Sequence, residues 1–189
     1  MHHAVRAARP NGPGTMDDTE TSSSEPPSPD GDPPGRERTP RFDLLDPDRI
    51  LTDDLRARLR GHVLAALPLL GARGEARARV VNDADMTDAH LRYAGVHGTT
   101  DVLTFDLSDN GTLDADLLIC ADVARRRADD LGHPIEHELT LYIIHGLLHC
   151  LGHDDKSRDD ARRMHAEEDR ILTAIGVGPV FAARGEGRT

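Results

Sequence analysis

The feature that most constrains this chain is an apolar helical segment that carries two histidines. From Glu136 onward the pattern predicts a helix with almost no polar face, so this helix should be buried in a core. His145 and His149 are four residues apart and would project from the same side of it, one turn apart. Two imidazoles placed in this way can bind one metal ion. The apolar positions are Leu139, Leu141, Ile143, Ile144, Leu147, Leu148 and Leu151.

A third metal ligand is expected just after this helix. Gly152 suits a left-handed helix end that turns the chain back, and Asp155 follows three residues later. We predict one Zn²⁺ per chain on His145, His149 and Asp155, with His153 as the alternative third ligand. Three protein ligands leave a fourth position open for water, as in catalytic zinc sites. Histidine and carboxylate ligands also suit nickel, cobalt or iron.

The residue after the first histidine argues against a peptidase. In the helical zinc motif of metalloproteases that residue is a glutamate, which acts as the general base. Here it is Gly146, which has no side chain. A peptidase is therefore the least favoured metallohydrolase.

The rest of the chain alternates helical and strand patterns. This alternation predicts an α/β (α+β) fold, a single domain in which a small mixed sheet packs with helices and the buried metal-binding helix. Strands are predicted at residues 78–82, 102–105 and 115–120, and helices at 48–67, 83–93, 121–130, 136–151 and 161–175.

Composition divides the chain into three parts. The first forty residues hold eight of the twelve prolines, and such a segment cannot bury enough apolar surface to offset its ordering entropy. We predict a disordered Pro/Ser-rich tail over residues 1–40, a metal-dependent hydrolase domain over 41–176, and a flexible tail over 177–189.

Charge and cysteine content limit the function classes. The net charge is −11, and without the first forty residues, which hold seven acids and four bases, it is still −8. This sign opposes general nucleic-acid binding, so any RNA contact needs the metal or a local patch of arginines, which otherwise form an ordinary solvated helix face and loop. The candidate patch residues are Arg56, Arg58, Arg60, Arg73, Arg77 and Arg79. Cys120 and Cys150 do not suggest a disulfide framework, which favours the cytoplasm. No run approaches the eighteen apolar residues of a membrane span.

Several motifs together resemble the YbeY family of bacterial metalloproteins of ribosomal RNA maturation. The family signature H-G-x-L-H-L-x-G-Y-D-H is similar to residues 145–155, with Asp155 at the position of the third histidine ligand. Residues 100–105 and 114–120 are similar to two strand motifs of the family, and residues 164–172 to its closing helix. The signature residues that match are His145, Gly146, Leu148, His149, Gly152 and Asp154.

The resemblance implies a single-strand-specific, metal-dependent endoribonuclease. Its expected role is maturation of the 16S rRNA 3′ end and ribosome quality control, with ribosomal RNA and the small ribosomal subunit or its proteins as partners. His145, His149 and Asp155 would act through a metal-activated water. Glu138 and Asp154 are the two carboxylate candidates for the proton acceptor, and His153 is a third candidate. Glu138 also has an ordinary interpretation as a helix-start acid that interacts with the helix dipole.

One departure from the family pattern bears on activity. The family has Tyr-Arg-Gly before its first strand motif, whereas this chain has Tyr93-Ala94-Gly95. A guanidinium there could pair with phosphate and stabilise transition-state charge. Ala94 therefore favours an alternative, a ribosome-assembly or binding factor with little catalysis.

Overall fold

The structure, a computed structural model, describes residues 5–6, 39–109 and 111–181 of the chain. Within them, five helices pack with one five-stranded mixed sheet, which confirms the predicted fold class. The strands are β1 (Val5–Arg6), β2 (Arg41–Leu45), β3 (Gly74–Val81), β4 (Val102–Asp106) and β5 (Leu113–Cys120), and the helices are α1 (Asp53–Leu69), α2 (Asp83–Ala94), α3 (Ala121–Leu131), α4 (Ile135–Cys150) and α5 (Arg158–Ala174).

The sheet has β5 at its centre. Its strand order is β1-β4-β5-β3-β2, and only the β4–β5 pair is antiparallel among the pairs of the described strands. Alternate residues of β5 are buried, from Leu113 to Ile119, while Asp114 and Asp116 lie on the more open face. Because side chains alternate between the two faces of a strand, the buried residues of β5 share one face of the sheet, and Asp114 and Asp116 lie on the other.

Helix α4 lies in the middle of the core. Apolar residues surround it on almost every side, and all residues from Glu138 to Leu148 are buried. Gly146 permits this placement, since an added Cβ would lie 2.4 Å from Leu117 Cδ2 and 2.6 Å from Thr104 Oγ1. The absence of a side chain at Gly146 therefore sets how closely the helix approaches β4 and β5.

The first helix begins later than predicted. We placed its start at residue 48, but α1 begins at Asp53, where the Thr52 side chain accepts a hydrogen bond from the Leu55 N–H. The residues before it form a turn in which the Asp46 carboxylate accepts hydrogen bonds from Ile50 N–H at 2.8 Å and Leu51 N–H at 3.0 Å. The Asp46 side chain thus binds main-chain N–H groups of this segment and holds it in a turn instead of a first helical turn.

The two predicted tails fall mostly outside the described residues. In the proposed 1–40 tail, residues 5–6 pair with β4, and residues 7–38 are not described. In the proposed 177–189 tail, Val177 and Val180 are buried in the core, so the packed chain extends to residue 181. The Asp169 carboxylate accepts hydrogen bonds from the N–H groups of Val180 and Phe181. Residues 182–189 lie outside the described residues.

The remaining predicted elements are confirmed, with shifted ends for β3 and α5. Helix α5 begins at Arg158 because Ser157 caps it by accepting from the Asp160 N–H at 3.0 Å. Strands β1 and β2 were not predicted. In the part of the chain that the structure describes, no helix has the length and apolarity that crossing a membrane requires.

Substitution of Gly146 tests the close packing of α4. We expect Gly146→Ala to lower the free energy of unfolding by about 1–2 kcal/mol, since overpacking costs about 1–3 kcal/mol and exceeds the gain in helix propensity of about 1 kcal/mol. Denaturant unfolding of the metal-free protein measures this change. The control is Gly61→Ala on the exposed face of α1, where an added Cβ meets nothing within 4 Å. The stability of this variant should rise. Equal gains in both variants would contradict the packing argument.

Candidate metal centre

The end of α4 and the turn after it bring the predicted ligands together. His145 and His149 lie one turn apart in the last part of the helix. After Cys150 the chain reverses through Gly152, whose φ of 92° favours glycine. The reversal is held by a hydrogen bond from the His153 N–H to the Leu148 carbonyl at 3.0 Å. It returns Asp155 to the side of the helix that carries the imidazoles.

Three ligand atoms converge at this point. One nitrogen from each of His145 and His149 and one carboxylate oxygen of Asp155 lie within 4.8 Å of one another. The two Nε2 atoms are 3.1 Å apart, and Asp155 Oδ1 is 4.0 Å from His149 Nε2. The side chain of His153, our alternative third ligand, is exposed and is not part of this group. No other group of this kind occurs among the described residues.

Each imidazole is held from behind through its Nδ1 atom. His145 Nδ1 lies 2.7 Å from Glu168 Oε1, and His149 Nδ1 lies 3.1 Å from the carbonyl oxygen of His153. Both oxygens only accept, so both Nδ1 atoms carry the proton and donate it. The two Nε2 atoms are thereby the ones that face each other.

The electrostatic surroundings distinguish the two histidines. Burial alone would lower the pKa of His145, but the hydrogen bond and charge of Glu168, helped by Asp101 and Asp155, raise this pKa above its usual value. Burial and the positive charge of His145 lower the pKa of His149. In the metal-free protein, a proton on His145 Nε2 can therefore be donated to His149 Nε2 across the 3.1 Å contact. Without a proton or a cation there, two lone pairs would repel.

The donor set fits a divalent metal ion. Two nitrogens bound to a tetrahedral Zn²⁺ at about 2.0–2.1 Å lie about 3.3 Å apart, close to the spacing observed between the two Nε2 atoms. Both nitrogens are already presented by tautomers whose outer N–H is engaged, the arrangement typical of metal-bound histidines. Asp155 offers a carboxylate oxygen to the same point and is half-buried, so the centre is accessible from its side of the helix.

Glu138 and Asp154, the two carboxylates considered as proton acceptors, have other partners in the structure. Glu138 is fully buried, with Oε1 3.1 Å from His133 Nε2. Asp154 Oδ1 accepts from the Asp155 N–H, and its Oδ2 pairs with Lys156 Nζ, each at 2.9 Å. The Lys156 contact lowers the pKa of Asp154, which makes its carboxylate a weaker base. These contacts favour structural roles for both residues.

Glu168 is the polar residue of the site to which sequence analysis assigned no role. It comes from α5, and its carboxylate is buried against His145. A signal was present, because Glu168 lies on the apolar stripe of α5 between Met164 and Ile171. An acid at a core position is rarely found there without a partner.

Two of the arginines considered for an RNA patch, Arg58 and Arg77, are engaged by acids. Arg58 pairs with Asp54 and with Glu136, the latter at 2.8 Å. Arg77 binds Asp114 and Asp116, and these carboxylates raise its pKa further. Their positive charge is therefore already balanced within the fold.

Ala94 is the last residue of α2, and Gly95 ends the helix with a φ of 70°. Ala94 is half-buried, while Leu91 and Tyr93 before it are exposed. Arg92, the nearest arginine in sequence, lies with its guanidinium carbon 5.5 Å from the centre of the Tyr93 ring.

Comparison with known proteins identifies relatives over most of the described chain. The family model described as Endoribonuclease YbeY matches residues 58–176. A protein named Endoribonuclease YbeY from Frankia casuarinae is 39% identical over 113 residues, which cover 53% of this chain and 56% of that protein. One with the same name from Aromatoleum aromaticum is 35% identical over 117 residues, covering 62% of this chain and 76% of the relative. The match thus spans little more than half of the Frankia protein.

A solved structure shares the fold. The solution structure of TM1509 from Thermotoga maritima superposes with a TM-score of 0.54 at 18% sequence identity. The alignment covers 78% of this chain and 93% of that one. At this identity, the likeness concerns the fold alone.

The third ligand can be assigned by comparing two variants. We expect Asp155→Ala to weaken zinc binding by more than about 100-fold, because loss of an outer partner alone typically costs 10–100-fold. His153→Ala should leave the affinity unchanged, since the turn uses the His153 main-chain carbonyl and its side chain is exposed. Competition with a chromophoric chelator measures both affinities. The reverse order of effects would transfer the ligand role to His153.

Proposed function

The chain belongs to the YbeY family, and we propose that it is a zinc-dependent endoribonuclease that cleaves single-stranded RNA. The observation that carries this proposal is the convergence of His145, His149 and Asp155 at the end of a buried helix. The Frankia relative and the Aromatoleum relative are both named Endoribonuclease YbeY, which supports RNA as the substrate class. Maturation of the 16S rRNA 3′ end is the proposed setting, with the small ribosomal subunit as partner.

We propose one Zn²⁺ per chain, held by the two Nε2 atoms and the Asp155 carboxylate. A bound zinc ion would supply Lewis acidity, by polarising a phosphoryl oxygen and lowering the pKa of a water molecule toward about 7. His145 is buried and held by Glu168, whereas His149 and Asp155 are partly exposed. RNA would therefore approach over His149 and Asp155, with His145 as the fixed inner ligand.

The geometry also supports RNA over a peptide as the proposed substrate. Gly146 offers no general base next to the first histidine, and its Cα lies against the sheet. A phosphodiester already carries the negative charge that a cation attracts, and a neighbouring ribose hydroxyl can serve as the nucleophile.

A second candidate is a ribosome-assembly factor with little catalysis. Two observations favour it, Ala94 in place of the family arginine and the net charge of −11. Such a factor would keep the metal centre and bind the small subunit without cleaving its RNA efficiently.

Zinc-dependent cleavage of RNA separates these functions. We expect the purified chain to cut a single-stranded precursor of the 16S rRNA 3′ end, to lose this activity with a chelator, and to regain it with zinc. His149→Ala should lose both zinc and cleavage, because it removes one of the two nitrogen ligands. The matched duplex RNA is the control substrate and should remain intact. Stoichiometric zinc without cleavage would favour the assembly factor, and cleavage that survives in His149→Ala would exclude this site.

Restoring the guanidinium tests the role of position 94. We expect Ala94→Arg to raise cleavage by about 100-fold, the lower end of the roughly 100- to 1,000-fold effect of one well-placed donor on transition-state charge. Initial rates on the single-stranded substrate measure the gain. Leu91→Arg is the matched control, since it adds the same charge to an exposed position one turn earlier on α2. An equal gain in both variants would indicate general attraction of RNA, and no gain would remove position 94 from the catalytic argument.

A further inference from the structure

Glu168 is a buried carboxylate on the face of α5 that otherwise carries apolar residues. Its side chain has no exposed surface, and the buried residues that share its helix are Met164, Ile171 and Leu172. A carboxylate buried among such neighbours loses hydration, which costs free energy unless the charge is paired. An apolar residue would fill this position at lower cost, so stability alone does not account for a glutamate.

The contact of Glu168 is directed at one atom of the metal site. Oε1 lies 2.7 Å from His145 Nδ1, and Oε2 has no hydrogen-bond partner among the residues that the structure describes. The carboxylate accepts a hydrogen bond from the Nδ1–H group, so the neutral imidazole must carry its lone pair on Nε2. Nε2 is the atom that faces His149 Nε2.

The two histidines are held by acceptors of different charge. His149 Nδ1 donates to a neutral main-chain carbonyl in the turn, whereas His145 Nδ1 donates to a full negative charge. A carboxylate partner makes the imidazole a stronger electron donor to a metal. It also adds negative charge next to the inner ligand, where solvent cannot screen the cation.

We infer that Glu168 is the positioning residue of the metal centre, which holds His145 in the Nδ1–H tautomer and strengthens its Nε2 as a ligand for a divalent cation. This inference rests on the zinc site of the proposed function. Glu168 acts through His145 and does not itself touch metal or substrate. Helix α5 thereby contributes to metal affinity, although it supplies no ligand.

The test is zinc affinity of the full chain, measured by chelator competition in mildly alkaline buffer. Glu168→Gln keeps an oxygen that can accept the hydrogen bond from the Nδ1–H group, and it removes the negative charge. We expect its zinc affinity to fall by about 10- to 100-fold, while thermal unfolding of the metal-free protein stays close to that of the wild type. The matched control is Glu167→Gln, which removes the neighbouring carboxylate on α5 that pairs with Arg170 and should leave zinc affinity unchanged.

A purely structural role for Glu168 would give the opposite pattern, a lower unfolding temperature and unchanged zinc affinity, and would overturn the inference. Long-range nitrogen–proton NMR of the wild type gives a second readout that needs no variant. The His145 Nδ1 should be protonated in both the metal-free and the zinc-loaded protein, and a bare Nδ1 would also overturn it. Absence of zinc binding by the wild type would remove the proposed function and this inference together. Equal binding by wild type and Glu168→Gln would remove only this inference.

Discussion

The close contact between α4 and the sheet at Gly146 is the constraint on which the rest of the structure depends. A side chain at this position would overlap Leu117 and Thr104, so the helix backbone lies directly against β4 and β5. Because a helix is rigid over a few residues, this contact also fixes where His145 lies, one residue earlier. The depth of the His145 side chain in the fold is therefore set by Gly146, a residue that has no side-chain chemistry of its own.

The buried imidazole of His145 and the partly buried imidazole of His149 both need hydrogen-bond partners. The fold supplies these partners from two directions, with the His153 carbonyl from the turn and the Glu168 carboxylate from α5. Both partners engage Nδ1, and the two Nε2 atoms are left to converge. The contact between the two Nε2 atoms is unfavourable unless a proton or a metal ion lies between them. The arrangement therefore favours a bound cation even in the absence of substrate.

The differences between prediction and structure follow from interactions that a linear pattern does not display. Helix α1 begins at Asp53 because Asp46 binds the main chain at residues 50 and 51 and holds it in a turn. Residues 177–181 pack on the core because Asp169 binds their main chain across the end of α5. Strand β2 is short and pairs with β3, a partner about thirty residues away, so its formation depends on a sheet that exists only in the fold.

The sequence by itself determined the apolar helix α4, its two aligned histidines and the turn that brings Asp155 back beside them. Those features depend on helical periodicity and on glycine geometry, which are local properties of the chain. Only the tertiary structure decided that Glu168 contacts His145, that Arg58 pairs with Glu136, and that Arg77 pairs with Asp114 and Asp116. These pairings join residues far apart in the chain, and helix and sheet packing sets the distances between them.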